Sequence, residues 1–178
     1  IEYLRMNYDE SFFIYEKIIN KFPYYKDIDY AYYMRALSYY EQIQNEELDG
    51  SMNLQAIDGF NQIINRYPNS KYTTDSKQKI IKIKQNIAAK HMKIGLFYFN
   101  QKKYIAAMNR FQKIINEYSK TKFTPEAIYR LSEVYYRLGM IEEAKENASL
   151  LGYNYPESKW YKRSYNLLTD NKSQNDSI

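Results

Sequence analysis

The sequence predicts an all-α protein made of stacked helix pairs, and three observations point that way. First, one pattern recurs four times, an amphipathic stretch that ends on an aromatic residue and a following breaker: Ile14–Pro23, Gly59–Pro68, Arg110–Ser119 and Asn147–Pro156. Second, the 178 residues hold only five Gly and four Pro, too few for the many turns of a β-sandwich or for glycine-rich phosphate loops. Third, 44% hydrophobic residues suffice to bury a core, yet the apolar runs are only a few residues long, which excludes a membrane-spanning helix. The absence of Cys removes thiolate catalysis and Cys-based zinc sites from this chain, and its single His argues against a histidine-rich centre. No catalytic, cofactor-binding or metal-binding residue is predicted. The net charge of +5 is modest and belongs to the mixed-charge coating of exposed helix faces.

The closing positions 23, 68, 119 and 156 lie 45, 51 and 37 residues apart. These are helix-pair lengths with insertions, near the period of about 34 residues of tetratricopeptide repeats. Pro in most units rules out a continuous heptad coiled coil. Only about ten residues precede the closing helix of the first unit, too few for its partner helix. The sequence therefore predicts an incomplete first repeat and a natural protein that begins upstream of Ile1, so that any signal peptide or lipid-attachment Cys would lie outside this chain. In the second unit a helix is expected over Asp29–Gln42, with Ala36 and Tyr39 at the matching sites, followed by a polar insert over about Gln44–Leu54 that projects between helices.

The third unit opens with a long helix over about Thr74–Asn100, carrying Gly95 and Tyr98, and turns at Gln101-Lys102-Lys103. It closes with a helix over about Tyr104–Tyr118 that carries Ala107 and Phe111. The fourth carries Leu131 and Tyr135, turns at Leu138-Gly139, and returns through Ala144 and Ala148. Small residues let two helices approach closely while large apolar ones fill the groove beside them. Trp160, Tyr161, Ser164, Tyr165 and Leu168 recur at helical spacing and predict a capping helix over 159–168. The expected organisation is a tetratricopeptide-like repeat domain over residues 1–168, a right-handed α-solenoid, with a flexible polar tail over 169–178.

Specific strings carry a family resemblance. Asp29-Tyr-Ala-Tyr-Tyr-Met-Arg-Ala-Leu37 with the polar insert after it, Arg66-Tyr-Pro-Asn-Ser-Lys-Tyr-Thr-Thr-Asp75, Asn86–Arg110 and Glu126–Leu138 resemble the third to fifth repeats of the BamD (ComL/YfiO) family of outer-membrane lipoproteins. The resemblance runs from about Ile1 to Tyr161 and places the start of the chain inside the second of five repeats. Ser119 stands where Pro commonly closes the fourth repeat, and Ala36 where Gly follows the Tyr-Met-Arg triplet. The resemblance implies a non-catalytic scaffold at the periplasmic face of the outer membrane, held there by an N-terminal lipid. That scaffold works in the β-barrel assembly (BAM) complex, which folds and inserts outer-membrane proteins. The implied partners are the POTRA region of BamA, the lipoproteins BamC and BamE, and unfolded outer-membrane proteins; nucleic acid is not among them. Two other readings stay open on the residues alone: a different periplasmic tetratricopeptide-like adaptor, and a polyanion-binding repeat protein.

Arg110, Lys113 and Glu117 are the expected partner-binding residues. Burial of Tyr104, Ala107, Phe111, Ile114, Ile115 and Tyr118 would leave these three on one exposed strip. An Arg at the margin of an apolar face suits a bidentate pair with a partner carboxylate. The resemblance implies that the Asn109-Arg110 pair matches the family position that grips BamA. The plainer alternative is a solvated Arg beside Glu117. Lys79, Lys82, Lys90 and Lys93 fall on one arc of the long helix and read mainly as snorkelling side chains beside an Ile stripe. His91 is expected to be a packed, hydrogen-bonded ring, and most of Tyr30, Tyr32, Tyr33, Tyr39 and Tyr40 to pack between repeats.

Overall fold

A computed structural model describes residues 1–43 and 50–169. Among them the secondary structure is helical throughout: a short 3-10 turn at Tyr3–Arg5, then α1 (Tyr8–Lys21), α2 (Ile28–Gln42), α3 (Ser51–Arg66), α4 (Thr73–Asn100), α5 (Tyr104–Glu117), α6 (Thr124–Arg137), α7 (Ile141–Asn154) and α8 (Lys159–Thr169). This is the expected all-α, tetratricopeptide-like fold. The chain forms two compact units, residues 1–83 and 84–178, with the division inside α4.

The three aromatic–Pro pairs end helices by one mechanism. A residue before Pro is pushed out of the helical region by the proline ring. Phe22, Tyr67 and Tyr155 accordingly turn to ψ of 54, 58 and 54°, while their N–H groups still donate to Ile18, Ile63 and Leu151. Tyr118 adopts a similar geometry, at ψ 31° with its N–H donating to Ile114, without a proline after it. The carbonyls freed at two of these ends are taken up by the helix that follows. Thr73 Oγ1 donates to the Tyr67 carbonyl at 2.8 Å, and Thr124 Oγ1 donates to those of Tyr118 and Ser119 at 3.2 and 3.0 Å. Each Thr stands six residues after its aromatic, so the string Tyr67–Asp75 works as a connector that satisfies its own backbone.

The turns within pairs are also alike. At Gly139 (φ 78°) the N–H groups of Gly139 and Met140 donate back to Tyr136 and Tyr135; at Lys102 (φ 60°) those of Lys102 and Lys103 donate to Phe99 and Tyr98. Both are left-handed helix stops of the Schellman type, one with the favoured Gly and one with Lys. The polar insert read over Gln44–Leu54 is shorter at its far end, because Ser51–Leu54 already form the first turn of α3, with Gly50 as N-cap. No Gly or Pro after Gly50 interrupts that turn. The rest of the insert, residues 44–49, lies outside the described residues, as does the tail from residue 170 onward.

In the first unit α2 packs between α1 and α3. Ala36, Ala56, Phe60 and Ile63 are wholly buried there, and a Cβ built on Gly59 would stand 2.8 Å from the Ala36 Cβ and 3.2 Å from its Cα. The backbones of α2 and α3 therefore touch with nothing flexible between them. Gly59→Val is expected to cost about 1–3 kcal/mol, because the backbone of α2 must move to admit the side chain. A urea unfolding midpoint unchanged from the parent would refute that contact. Between α1 and α2, the buried Ser38 Oγ donates its one proton to the Met34 carbonyl at 2.9 Å and lies 3.1 Å from Ser11 Oγ, from which it can accept, so a hydroxyl pair stands where an apolar pair would be usual.

The second unit is built around Ala88 and Met92 of α4, Ala107, Phe111 and Ile114 of α5, and Ala127, Leu131 and Val134 of α6. Phe111 lies against Gly95, whose missing Cβ would stand 2.5 Å from the ring. α6 packs in turn against α7 and α8, with Ser132 Oγ donating to the Ala144 carbonyl at 2.8 Å.

Candidate docking site

The side chain of Arg110 is set by the same packing that buries α5. Ala107, Phe111 and Ile114 point into the core, and Arg110 is carried to the margin of that face, half-buried. With Tyr98, Ala106, Asn109 and Lys113 it lines an open pocket of about 280 Å³. Its guanidinium Nη1 lies 3.5 Å from Nδ1 of His91 on α4. It makes no ion pair among the described residues. The expected exposed strip is therefore divided. Lys113 and Glu117 are solvent-facing and pair with each other at 3.6 Å, one turn apart, while Arg110 faces α4. Glu117, the neighbour expected for a solvated Arg110, serves Lys113 instead.

His91 is packed, as its position on the long helix led us to expect. Its ring stacks on Tyr118 with centroids 6.0 Å apart and planes 26° apart. Burial holds its pKa below the usual imidazole value, and the positive charges of Arg110 and Lys113 push the same way. A neutral ring with its proton on Nε2 leaves Nδ1 as an acceptor facing the guanidinium. An Arg with spare donors, no internal carboxylate and a half-buried setting can clamp a carboxylate brought by another molecule.

The other candidates are engaged within their own units. Lys79 pairs with Asp75 at 3.6 Å and lies 4.8 Å from the Tyr40 ring centroid, with Lys82 at 6.0 Å from the same ring. Snorkelling, not a free cationic strip, describes these two. Tyr32 is buried with the Arg35 and Arg66 guanidiniums 5.2 and 5.5 Å from its ring, and its hydroxyl accepts from Arg66 at 2.8 Å. Tyr33 stacks on Tyr72 at 4.6 Å and donates to Asp75 at 2.6 Å; burial and that bond raise its pKa well above the usual phenol value. Tyr39 packs on Phe12 and Tyr40 on Phe60, while Tyr30 remains 42% exposed.

Sequence reasoning missed the contact between His91 and Arg110, which lie 19 residues apart on different helices. It also missed the surroundings of Trp160. That indole stacks on Tyr129 at 5.3 Å and carries Arg130, Lys159 and Arg163 at 5.5, 4.8 and 4.9 Å from its centroid. The only sequence signal for it was the basic run around Trp160, which reads equally well as an exposed helix face.

Comparison with known proteins bears on this geometry. The family described as YfiO, outer membrane lipoprotein, matches residues 2–151. The chain is 44% identical over 166 residues to the outer membrane protein assembly factor BamD of Rickettsia prowazekii, an alignment covering 93% of this chain and 66% of that protein. It is 37% identical over 169 residues to the BamD of Caulobacter vibrioides, covering 95% and 55%, and 29% identical over 160 residues to that of Neisseria meningitidis serogroup A, covering 84% and 60%. The chain thus spans a little over half to just under two thirds of the length of these relatives.

Proposed function

Because the chain belongs to the YfiO family of outer membrane lipoproteins, we propose that it is the helical scaffold of an outer-membrane-protein assembly factor, without catalytic activity of its own. Its docking partner is the POTRA region of BamA, gripped by Arg110 with Lys113 and Glu117 at the rim. BamC, BamE and unfolded outer-membrane proteins are further partners of the whole protein, which an N-terminal lipid holds at the periplasmic face of the outer membrane. One observation supports the docking reading above the others: Arg110 is a half-buried guanidinium that faces an open pocket and makes no ion pair among the described residues. Leaving such a charge partly desolvated and unmatched is unfavourable in the free protein, and a partner carboxylate relieves it.

The test is a titration of the chain with purified BamA POTRA domains, beside parallel titrations with single-stranded DNA and with anionic vesicles. Saturable binding to the POTRA domains is expected, with a shallow dependence on salt. Binding to DNA or vesicles that falls steeply with salt, with none to the POTRA domains, would replace this reading by the polyanion-binding one.

A further inference from the structure

We propose that His91 is the positioning residue of the Arg110 face: its neutral ring holds the guanidinium against α4, and its protonation releases that guanidinium to an acidic partner while adding a second positive charge. The inference rests on the docking reading given above and adds to it a proton-controlled step.

The geometry carries it in three parts. His91 Nδ1 and Arg110 Nη1 stand 3.5 Å apart, at the long end for a hydrogen bond, so the contact is weak and easily exchanged for a better acceptor. The imidazole itself is not free to swing away, because it is half-buried and stacked on Tyr118. A proton added to this ring therefore meets the guanidinium at close range, and the mobile partner of the two is Arg110. Its way out is the open pocket lined by Tyr98, Ala106, Asn109 and Lys113.

The surrounding charges set the sign. His91 feels Lys90 on its own helix, and Arg110, Lys113 and Glu117 from α5. Three of the four are cations and disfavour a charged ring; only Glu117 favours it, and Glu117 is shared with Lys113. The free protein accordingly keeps His91 neutral at pH 7, its pKa lowered by burial first and by Arg110 next. A carboxylate docked on Arg110 inserts a negative charge into this group and raises the proton affinity of His91. Docking then takes up a proton. Affinity rises as pH falls through the raised pKa of the complex, and levels off below the lowered pKa of the free protein. The gain is up to about tenfold for each unit by which docking raises the pKa.

The experiment uses the fact that the chain has a single His, so its ring gives one imidazole signal. The NMR titration of that signal is compared in the parent and in Arg110→Gln. Removing the adjacent cation is expected to shift the His91 titration to higher pH, and superimposable curves would overturn the contact. Affinity for the BamA POTRA domains is then measured from pH 8 to pH 5 at constant ionic strength for the parent, His91→Gln and Arg110→Glu. His91→Gln keeps a neutral acceptor and cannot titrate. Its affinity, whatever its level at pH 8, is expected to lack the several-fold gain that the parent shows on going to pH 5. A gain of equal size in both proteins overturns the proposal and leaves the docking reading standing, provided Arg110→Glu still weakens binding strongly. Failure of the parent to bind at any pH overturns the docking reading and the proton-controlled step with it.

Discussion

Arg110→Glu is expected to weaken binding to the BamA POTRA domains by about 2–5 kcal/mol, mostly through faster dissociation. The substitution turns attraction to an acidic partner into repulsion at a contact that becomes desolvated on docking. It removes no core contact, since the apolar face of α5 is made by Ala107, Phe111 and Ile114. The fold should therefore change in stability by less than about 0.5 kcal/mol. Lys113→Glu should cost less binding, because Lys113 is solvent-facing and already shares its charge with Glu117 at 3.6 Å. An acid-to-Lys change at the contacting site of the POTRA domains should restore part of the affinity lost in Arg110→Glu. Titration calorimetry supplies the affinities and circular dichroism the folding control. Full binding by a folded Arg110→Glu protein would make Arg110 a surface residue packed on His91 and nothing more.

Phe111→Ala is expected to have the largest effect on stability, about 3–5 kcal/mol. The ring is wholly buried, and Gly95 lies directly against it. Truncation would leave a cavity bounded by α4, α5 and α6, and a glycine supplies no side chain that could rotate into it. Helices collapse into such a gap only by backbone movement, which would disturb Met92 and Val134 in the same cluster. The measurement is the urea midpoint and slope of Phe111→Ala against Phe111→Leu, which refills most of the volume and should lose less. A cost below about 1 kcal/mol for the Ala variant would show that the second unit does not depend on this core. Because Phe111 is the residue after Arg110, the pair also separates two effects along one helix: one change should weaken docking on an intact fold, the other should destabilise the element that carries the docking residue.

Much of this fold was legible in the residues. The ends of α1, α3 and α7 follow from the clash between a proline ring and the residue before it, a strictly local effect that needs no tertiary knowledge. The buried face of α5 follows from 3.6-residue periodicity, and the close approaches at Ala36 and Gly95 from small residues recurring at matched repeat positions. The connector Thr residues were present in the sequence as two copies of one spacing, Tyr67 to Thr73 and Tyr118 to Thr124. Their bonds to the preceding carbonyls became visible only with the turn geometry.

The candidate site was half legible for a related reason. Periodicity placed Arg110, Lys113 and Glu117 on one side of a helix, and family resemblance singled out Arg110 among them. Neither could tell which way the guanidinium points, because that depends on what the neighbouring helix presents at the same height. His91 lies 19 residues away, and its meeting with Arg110 is decided by how far α4 and α5 slide past each other. The paired hydroxyls of Ser11 and Ser38 and the placing of Tyr32 beside two guanidiniums have the same origin. The sequence by itself determined where most helices stop and turn, and which side of each is apolar, since those properties come from backbone sterics and residue spacing within one segment. Only the tertiary structure decided which polar side chains meet across helices, since that rests on an axial register set by the packing of many apolar side chains at once.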